Sequence, residues 1–198
     1  VLNQVALWNA RVSKISSGGT IPGGTTTPPS TSGRVFPATG MTLAQLLRYR
    51  KVLGTQTQNS DPGGYYNNRT NHMHAGLDIS GPTQSGWGTT GRNGPALACV
   101  DGSITRTREY NDSDCGKSVY ITSSDGKLFF AYFHLDSLAV SLGQTVKAGD
   151  IVGIIGDTGL STAVHLHLEV RPGNEQRDCY DPLQWLIDGT LVNRKRFY

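Results

Sequence analysis

The chain has 198 residues, which is long enough for one well-buried domain with further segments attached. Its 25 glycines and its 17% of charged residues favour strands and turns over helices. A net charge of +3 does not suggest the dense basic patch of a nucleic-acid-binding protein, and no apolar run approaches the roughly 18 residues of a membrane span. The composition therefore argues against a nucleic-acid partner and against a membrane span.

The N-terminal part of the chain divides into a short apolar segment and a linker. Residues 1–15 carry apolar side chains at loosely helical spacing and are expected to be a helical stub of an upstream region. Residues 16–33 are almost entirely Ser, Gly, Thr and Pro, a composition that reads as a linker. Because the chain begins with Val1, we expect a processed product or a fragment of something longer.

The remaining sequence predicts one domain over residues 34–190, with its core at 71–188, and a basic tail at 191–198. A helix is predicted at 42–50. We predict strands at residues 96–100, 103–109, 118–121, 128–134, 151–155 and 165–170, and a short helix at residues 181–187. No connection between the strands is long enough for a crossover helix, so the sheets should be antiparallel. The expected fold class is mainly β, with antiparallel sheets in a sandwich-like domain and short peripheral helices.

Two histidine segments have the composition of one metal site. His165 and His167 are two residues apart in an apolar run, so both should project from the same face of a strand. His74 and Asp78 are four residues apart, and Gly76 between them permits a tight backbone path. Imidazole and carboxylate are zinc ligands, and three protein ligands leave one position for water. The pattern therefore predicts a catalytic zinc site and a hydrolytic reaction.

The sequence alone leaves two of the five histidines ambiguous. His72 and His74 form another pair two residues apart, so His72 competes with His74 as a ligand, although we favour a place for it at the rim of the site. His134 stands alone near the end of an aromatic strand, where a histidine is usually an ordinary core or edge residue. His134 becomes a candidate acid–base partner only because the other histidine segments already predict a hydrolytic site.

The three cysteines form no CxxC pair, so a cysteine zinc site is not expected. Cys99 follows an apolar run and is predicted to be a small buried core residue. Cys115 and Cys179 both lie in polar segments. If any pair is bridged, we expect it to be Cys115–Cys179.

Four stretches of the chain resemble the lysostaphin-like (LytM-type) zinc metallopeptidases, endopeptidases that cut the peptide stems or bridges of bacterial peptidoglycan. The stretches lie at residues 69–79, 132–135, 146–153 and 156–170. They occur in the order of the family and at compatible spacing, from about residue 71 to residue 186. The resemblance does not extend to the N-terminal segment and linker. It implies a domain with an open groove that takes peptidoglycan as its substrate.

The resemblance also implies a role for each histidine. His74, Asp78 and His167 would hold one Zn²⁺ per chain. His165 would orient or deprotonate the reacting water, and a protonated His134 would stabilise the oxyanion or protonate the leaving amine.

Substrate contacts are expected around this centre. Tyr65, Tyr66 and His72 are the candidate substrate-binding residues. Four loops are candidate walls of the groove, at residues 61–71, 80–93, 111–115 and 172–179, and the specificity for one bond would lie in them. The family often has an aromatic ring where this chain has Leu168.

The biological setting is predicted from the linker and from the resemblance. A phage tail or virion-associated lysin and a secreted autolysin both fit, with the chain in a virion or outside the cell at the wall, attached to a larger phage tail or upstream protein. The lack of an obvious wall-binding repeat favours the phage setting. The alternatives are a catalytically silent binding or regulatory module on the same fold, and a structural component of a larger assembly. All five expected histidine and aspartate positions are filled, which favours an active enzyme.

Overall fold

The computed structural model describes residues 68–69, 72–79, 82–83, 86–87, 94–110, 114–161, 164–173, 178–191 and 193–194. The predicted helical stub, the linker, the helix at 42–50, Tyr65 and Tyr66 lie outside the described residues.

The described residues form fourteen strands and one helix. The strands are β1 (Asn68–Arg69), β2 (His72–Met73), β3 (Leu77–Ile79), β4 (Pro82–Thr83), β5 (Gly86–Trp87), β6 (Pro95–Leu97), β7 (Gly102–Arg108), β8 (Lys117–Ser123), β9 (Leu128–Leu138), β10 (Thr145–Val146), β11 (Ile151–Ile155), β12 (Leu166–Pro172), β13 (Cys179–Tyr180) and β14 (Asn193–Arg194). The helix α1 spans Pro182–Asp188.

Ten of these strands join one hydrogen-bonded sheet. Its main path runs β10-β7-β8-β9-β12-β13-β14, while β11 pairs with β6 and β9, and β3 pairs with β12. Strands β1 and β2 form a separate pair, as do β4 and β5. Every pairing among the described strands is antiparallel. This confirms the predicted mainly β, antiparallel fold class.

The alternation of side chains along β12 separates a core face from a polar face. Leu166, Leu168 and Val170 are fully buried in the main hydrophobic core. Because successive side chains in a strand point to opposite faces, His167 and Glu169 lie on the other side of the sheet. That face also carries a separate hydrophobic cluster, made of Tyr120, Phe129, Ala131 and Phe133.

Strand β9 changes its pairing partner within its own length. Its residues 128–133 pair with β12, whereas residues 135–138 pair with β11. His134 lies between the two segments and has a positive φ of 62°. The left-handed conformation at this residue therefore marks the point where the strand passes from one neighbour to the other.

Helix α1 covers the end of the core, close to the predicted residues 181–187. The Asp181 side chain accepts hydrogen bonds from the backbone N–H groups of Leu183 and Gln184, a typical N-cap. Trp185 packs against Phe130 with ring centroids 4.8 Å apart. Among the described residues, no helix is long and apolar enough to cross a membrane.

All three cysteines are described and are free thiols, so the expected Cys115–Cys179 bridge is not formed. The backbone carbonyl of Cys115 accepts a hydrogen bond from His134 in β9, while Cys179 lies in β13, on the far side of β12. At a strand spacing of about 4.8 Å, two spacings already exceed the roughly 7 Å between Cα atoms that a disulfide allows. Cys99 is fully buried, as predicted.

Candidate functional site

Pairing between β3 and β12 brings the three predicted metal ligands together. Asp78 in β3 is the register partner of His167 in β12, and His74 lies four residues before Asp78. The His74 Nε2 atom is 3.0 Å from Asp78 Oδ1 and 2.9 Å from His167 Nδ1. The His167 Nδ1 atom is 2.9 Å from the same carboxylate oxygen. The three atoms therefore form a nearly equilateral triangle.

The chemistry of this triangle fits a zinc ion. All three corners are atoms that can donate an electron pair to a metal ion. In a tetrahedral zinc site with bonds of about 2.0–2.1 Å, neighbouring ligand atoms lie about 3.3 Å apart, so only a small expansion is needed. Among the described residues, these three are the ones whose ligand atoms cluster in this way.

The electrostatics of the triangle favour a cation. Burial alone would raise the pKa of Asp78, but hydrogen bonds with His167 and His74 outweigh it and hold the pKa well below its usual value. Burial would lower the pKa of His167, but its interactions with Asp78 and Glu169 raise it to about 9. Without a metal, a proton on His167 therefore balances the negative charge of the Asp78 carboxylate. A bound metal ion would replace that proton.

Gly76 and Phe133 shape the space around His167. A Cβ atom at Gly76 would lie 2.5 Å from the carbonyl oxygen of Leu168 and 2.6 Å from His167 Nε2, so a larger residue would displace the ligand. The Phe133 ring stacks on the His167 ring at 5.3 Å with an interplanar angle of 2°. The ring plane of His167 is therefore set by its neighbours.

His165 lies beside the triangle, as its spacing from His167 predicts. Its Nε2 atom is 3.5 Å from Asp78 Oδ1, and its Nδ1 atom is 3.3 Å from the hydroxyl of Ser161. An isolated bridge between His165 and Gly156 fixes the backbone just before β12. The imidazole thus has one nitrogen toward the candidate metal site and the other toward a neighbouring loop.

His134 joins the same site from β9. Its ring centroid is 4.7 Å from that of His165. Its Nδ1 atom is 2.8 Å from the carbonyl oxygen of Thr158, which can only accept, so Nδ1 carries the proton. Burial, followed by the charges of His165 and His167, lowers the pKa of His134 to about 4. In the metal-free site His134 is therefore neutral near pH 7.

Two residues of this centre were not predicted as site residues. Glu169 Oε1 lies 3.3 Å from His167 Nε2, on the side away from the triangle. The signal was present in the sequence, because Glu169 continues the alternation of His165 and His167. Thr158 contacts His134 through its carbonyl group, and the sequence shows only a turn there.

The structure does not place the candidate substrate-binding residues. The backbone of His72 lies in β2, where it pairs with Arg69, but the side chain is not among the described ones. Tyr65 and Tyr66 fall outside the described residues.

Comparisons with known proteins agree with this geometry. The family model "Peptidase family M23" matches residues 72–179. The glycyl-glycine endopeptidase ALE-1 of Staphylococcus capitis is 34% identical over 46% of this chain and 25% of its own length. The DD-carboxypeptidase/endopeptidase Mpg of Neisseria meningitidis is 33% identical over 58% of this chain and 24% of its own length. The chain thus spans about a quarter of these curated relatives.

The fold has a counterpart among solved structures. The catalytic domain of the antimicrobial peptidase lysostaphin from Staphylococcus simulans superposes with a TM-score of 0.54 at 28% identity, over 74% of this chain and 98% of that domain. Residues 72–179, which the family model matches, contain all three members of the triangle and both additional histidines. With a family model over more than half of its residues, the chain belongs to peptidase family M23.

Proposed function

We propose that this chain is a zinc-dependent endopeptidase that hydrolyses peptide bonds in the stems or cross-bridges of bacterial peptidoglycan. The observation that carries the proposal is the triangle of His74, Asp78 and His167, with His165 and His134 beside it. The names of ALE-1 and Mpg describe endopeptidases, which supports the same reaction class here. A catalytically silent module would have no need of all five residues.

Three residues would hold the metal, through His74 Nε2, Asp78 Oδ1 and His167 Nδ1. Zinc in a three-ligand site supplies a Lewis acid that makes water nucleophilic near neutral pH. The protein places these ligands in a nearly buried position, with exposed fractions of 3%, 3% and 8%. Low exposure strengthens the electrostatic interactions in which the ligands take part.

His165 would orient the attacking water. Its Nε2 atom lies next to Asp78 and therefore at the edge of the triangle. The contact between Nδ1 and Ser161 restrains the rotation of the ring. A neutral imidazole in this position can hydrogen-bond to water and take a proton from it.

His134 would act through Nε2, because Nδ1 carries a proton that is donated to Thr158. A pKa of about 4 leaves Nε2 free to accept a proton near neutral pH. Once it has taken a proton that comes from the attacking water, the imidazole becomes the acid that can protonate the leaving amine. His134 would therefore enter the cycle as a base and complete it as an acid.

The test is to measure zinc content and wall-lytic activity in parallel for His165→Ala and His134→Ala. Both variants should keep one zinc per chain and lose about 10²–10⁴-fold in activity, the usual size of acid–base assistance. His74→Ala is the comparison variant, which should lose both zinc and activity. Loss of zinc from His165→Ala or His134→Ala would make that residue a ligand, and full activity in both would contradict the mechanism.

The bond and the biological setting are further parts of the proposal. Cleavage of a glycine bridge and cleavage at a D-amino acid are both represented in the names of the relatives. We propose action outside the cell or from a virion, as a phage tail lysin or a secreted autolysin, with the linker at residues 16–33 as support. Mass spectrometry of fragments released from walls with glycine bridges and with direct cross-links would identify the bond.

A further inference from the structure

The polar face of β12 continues beyond the metal ligands to a buried ion pair. Residues 167, 169 and 171 project from the same face of the strand. His167 Nε2 lies 3.3 Å from Glu169 Oε1, and Arg171 Nε donates to Glu169 Oε2 at 2.6 Å. Glu169 is only 3% exposed. The two carboxylate oxygens thus serve two different partners.

A carboxylate this deeply buried needs hydrogen bonds and a nearby positive charge to offset the free energy lost on its removal from water. Arg171 supplies both, because its Nε and Nη2 atoms both donate to Glu169 Oε2. Arg171 is bound at Oε2, which leaves Oε1 for the histidine. Glu169 is therefore an anionic acceptor with a fixed direction, aimed at the nitrogen of His167 that faces away from the triangle.

We propose that Glu169 is a positioning residue of the metal centre, which accepts the Nε2–H of His167 and so keeps the lone pair on Nδ1 directed at the metal, with Arg171 holding the carboxylate in place. This inference rests on the zinc site of the proposed function. A neutral imidazole has one N–H, so a proton fixed at Nε2 leaves Nδ1 free as a ligand atom.

The surroundings of His167 show why such an acceptor is needed. Phe133 fixes the plane of the ring by stacking, and Gly76 allows the ring to approach the backbone of β3. Neither the stacked ring nor the missing side chain at Gly76 provides a hydrogen-bond acceptor for a ring N–H of His167. The Asp78 carboxylate, 2.9 Å from Nδ1, competes for the proton when no metal is present. Glu169 provides the interaction that places the proton on the opposite nitrogen.

The test compares the zinc dissociation constants of the wild type, Glu169→Ala and Glu169→Gln, measured by competition with a chelator of known affinity. Removal of the acceptor should weaken zinc binding about 10–100-fold, the usual effect of losing such a partner. Gln keeps an oxygen that can accept and should stay within a few-fold of the wild type. Glu109→Ala, at an exposed glutamate directly after β7, is the matched control and should bind zinc as the wild type does.

Two results would overturn the inference. One is wild-type affinity in Glu169→Ala, and the other is equal weakening in Glu169→Ala and Glu169→Gln, because acceptance of the N–H would then not be what matters. If the wild type itself binds no zinc, the proposed function fails instead, so the two failures are distinguishable.

A measurement on the wild type keeps the inference testable even if Glu169→Ala does not fold. Long-range ¹⁵N–¹H spectra of the zinc-loaded chain report which nitrogen of each histidine carries the proton. His167 should carry its proton on Nε2 with Nδ1 unprotonated. Because a metal on Nδ1 fixes this tautomer by itself, the deciding signal is the Nε2–H proton, which should be shifted downfield and exchange slowly with water when Glu169 accepts it. An Nε2–H proton that exchanges rapidly and lacks the downfield shift would contradict the role of Glu169.

Discussion

His134 shows how the surroundings of one residue set its chemistry. Its φ of 62° is uncommon for a residue other than glycine and costs on the order of 1–3 kcal/mol. Its backbone N–H donates to the carbonyl of Cys115 at 3.0 Å, and its ring donates to the carbonyl of Thr158 at 2.8 Å. The first bond fixes the backbone of His134, and the second fixes the tautomer of its ring. The strained conformation turns the ring toward His165, where the proposed proton transfers take place.

The lowered pKa of His134 predicts a pH dependence of stability in the metal-free chain. Between the folded pKa of about 4 and the ordinary value of 6.5, the unfolded chain binds more protons at this residue than the folded chain does. Stability is therefore fully present above pH 6.5 and falls as the pH is lowered toward 4, by an amount on the order of 3 kcal/mol for this residue. Urea unfolding at a series of pH values measures it.

The variant His134→Gln isolates this contribution from those of Asp78 and His167, which titrate in the same site. Its stability should fall less steeply than that of the wild type between pH 6.5 and pH 4. Equal slopes for the two proteins would mean that His134 is not held neutral by the fold.

At the scale of elements, side-chain alternation and turn residues predicted most of the sheet. Strand β11 has the predicted bounds, and β12 begins one residue after the predicted start. Strand β9 continues four residues past the predicted end at His134, because the conformation of that residue lets the strand change its partner. The approach of His134 to His165 could not be predicted either, since it depends on the pairing of β9 with β12 and on the carbonyl of Thr158.

Two loops beside the site are joined by close backbone contact, which predicts a strong effect of Gly159→Ala. Gly159 has a φ of 77°, and a Cβ atom there would lie 2.4 Å from the backbone nitrogen of Gly116. The left-handed conformation costs an alanine about 1–2 kcal/mol, and the clash adds about 1–3 kcal/mol. Because Thr158 precedes Gly159, the variant should also lose the proposed hydrolysis of peptidoglycan. Urea unfolding and a turbidity assay on cell walls measure the two effects.

Gly126→Ala is the matched control for the backbone effect alone. Gly126 has a φ of 70°, and a Cβ atom there would meet nothing within 4 Å. Its variant should lose only the conformational part of the stability and keep full activity. A loss of stability no larger in Gly159→Ala than in Gly126→Ala would show that the two loops can separate without cost.

At the scale of the whole molecule, the candidate metal site joins β3 to β12. Among the described strands, β3 pairs only with β12, over three residues. Two of the three ligands, His74 and Asp78, lie before and within β3, and His167 lies in β12. A bound metal would therefore attach β3, at the edge of the sheet, to β12. Removal of the metal should loosen β3 more than the rest of the sheet.

Zinc should accordingly raise the melting temperature of the chain, and chelation should lower it. A free zinc concentration about 100 times the dissociation constant adds about 2.7 kcal/mol to the stability of the folded state. Magnesium should have no such effect, because imidazole nitrogens suit zinc and oxygen ligands suit magnesium. The His74→Ala variant should show little response to zinc.

Hydrogen exchange locates the part of the chain that the metal stabilises. The amides of Leu77–Ile79 should exchange faster after chelation, while those of β8 stay protected. Uniformly faster exchange would contradict a metal that stabilises this edge of the sheet.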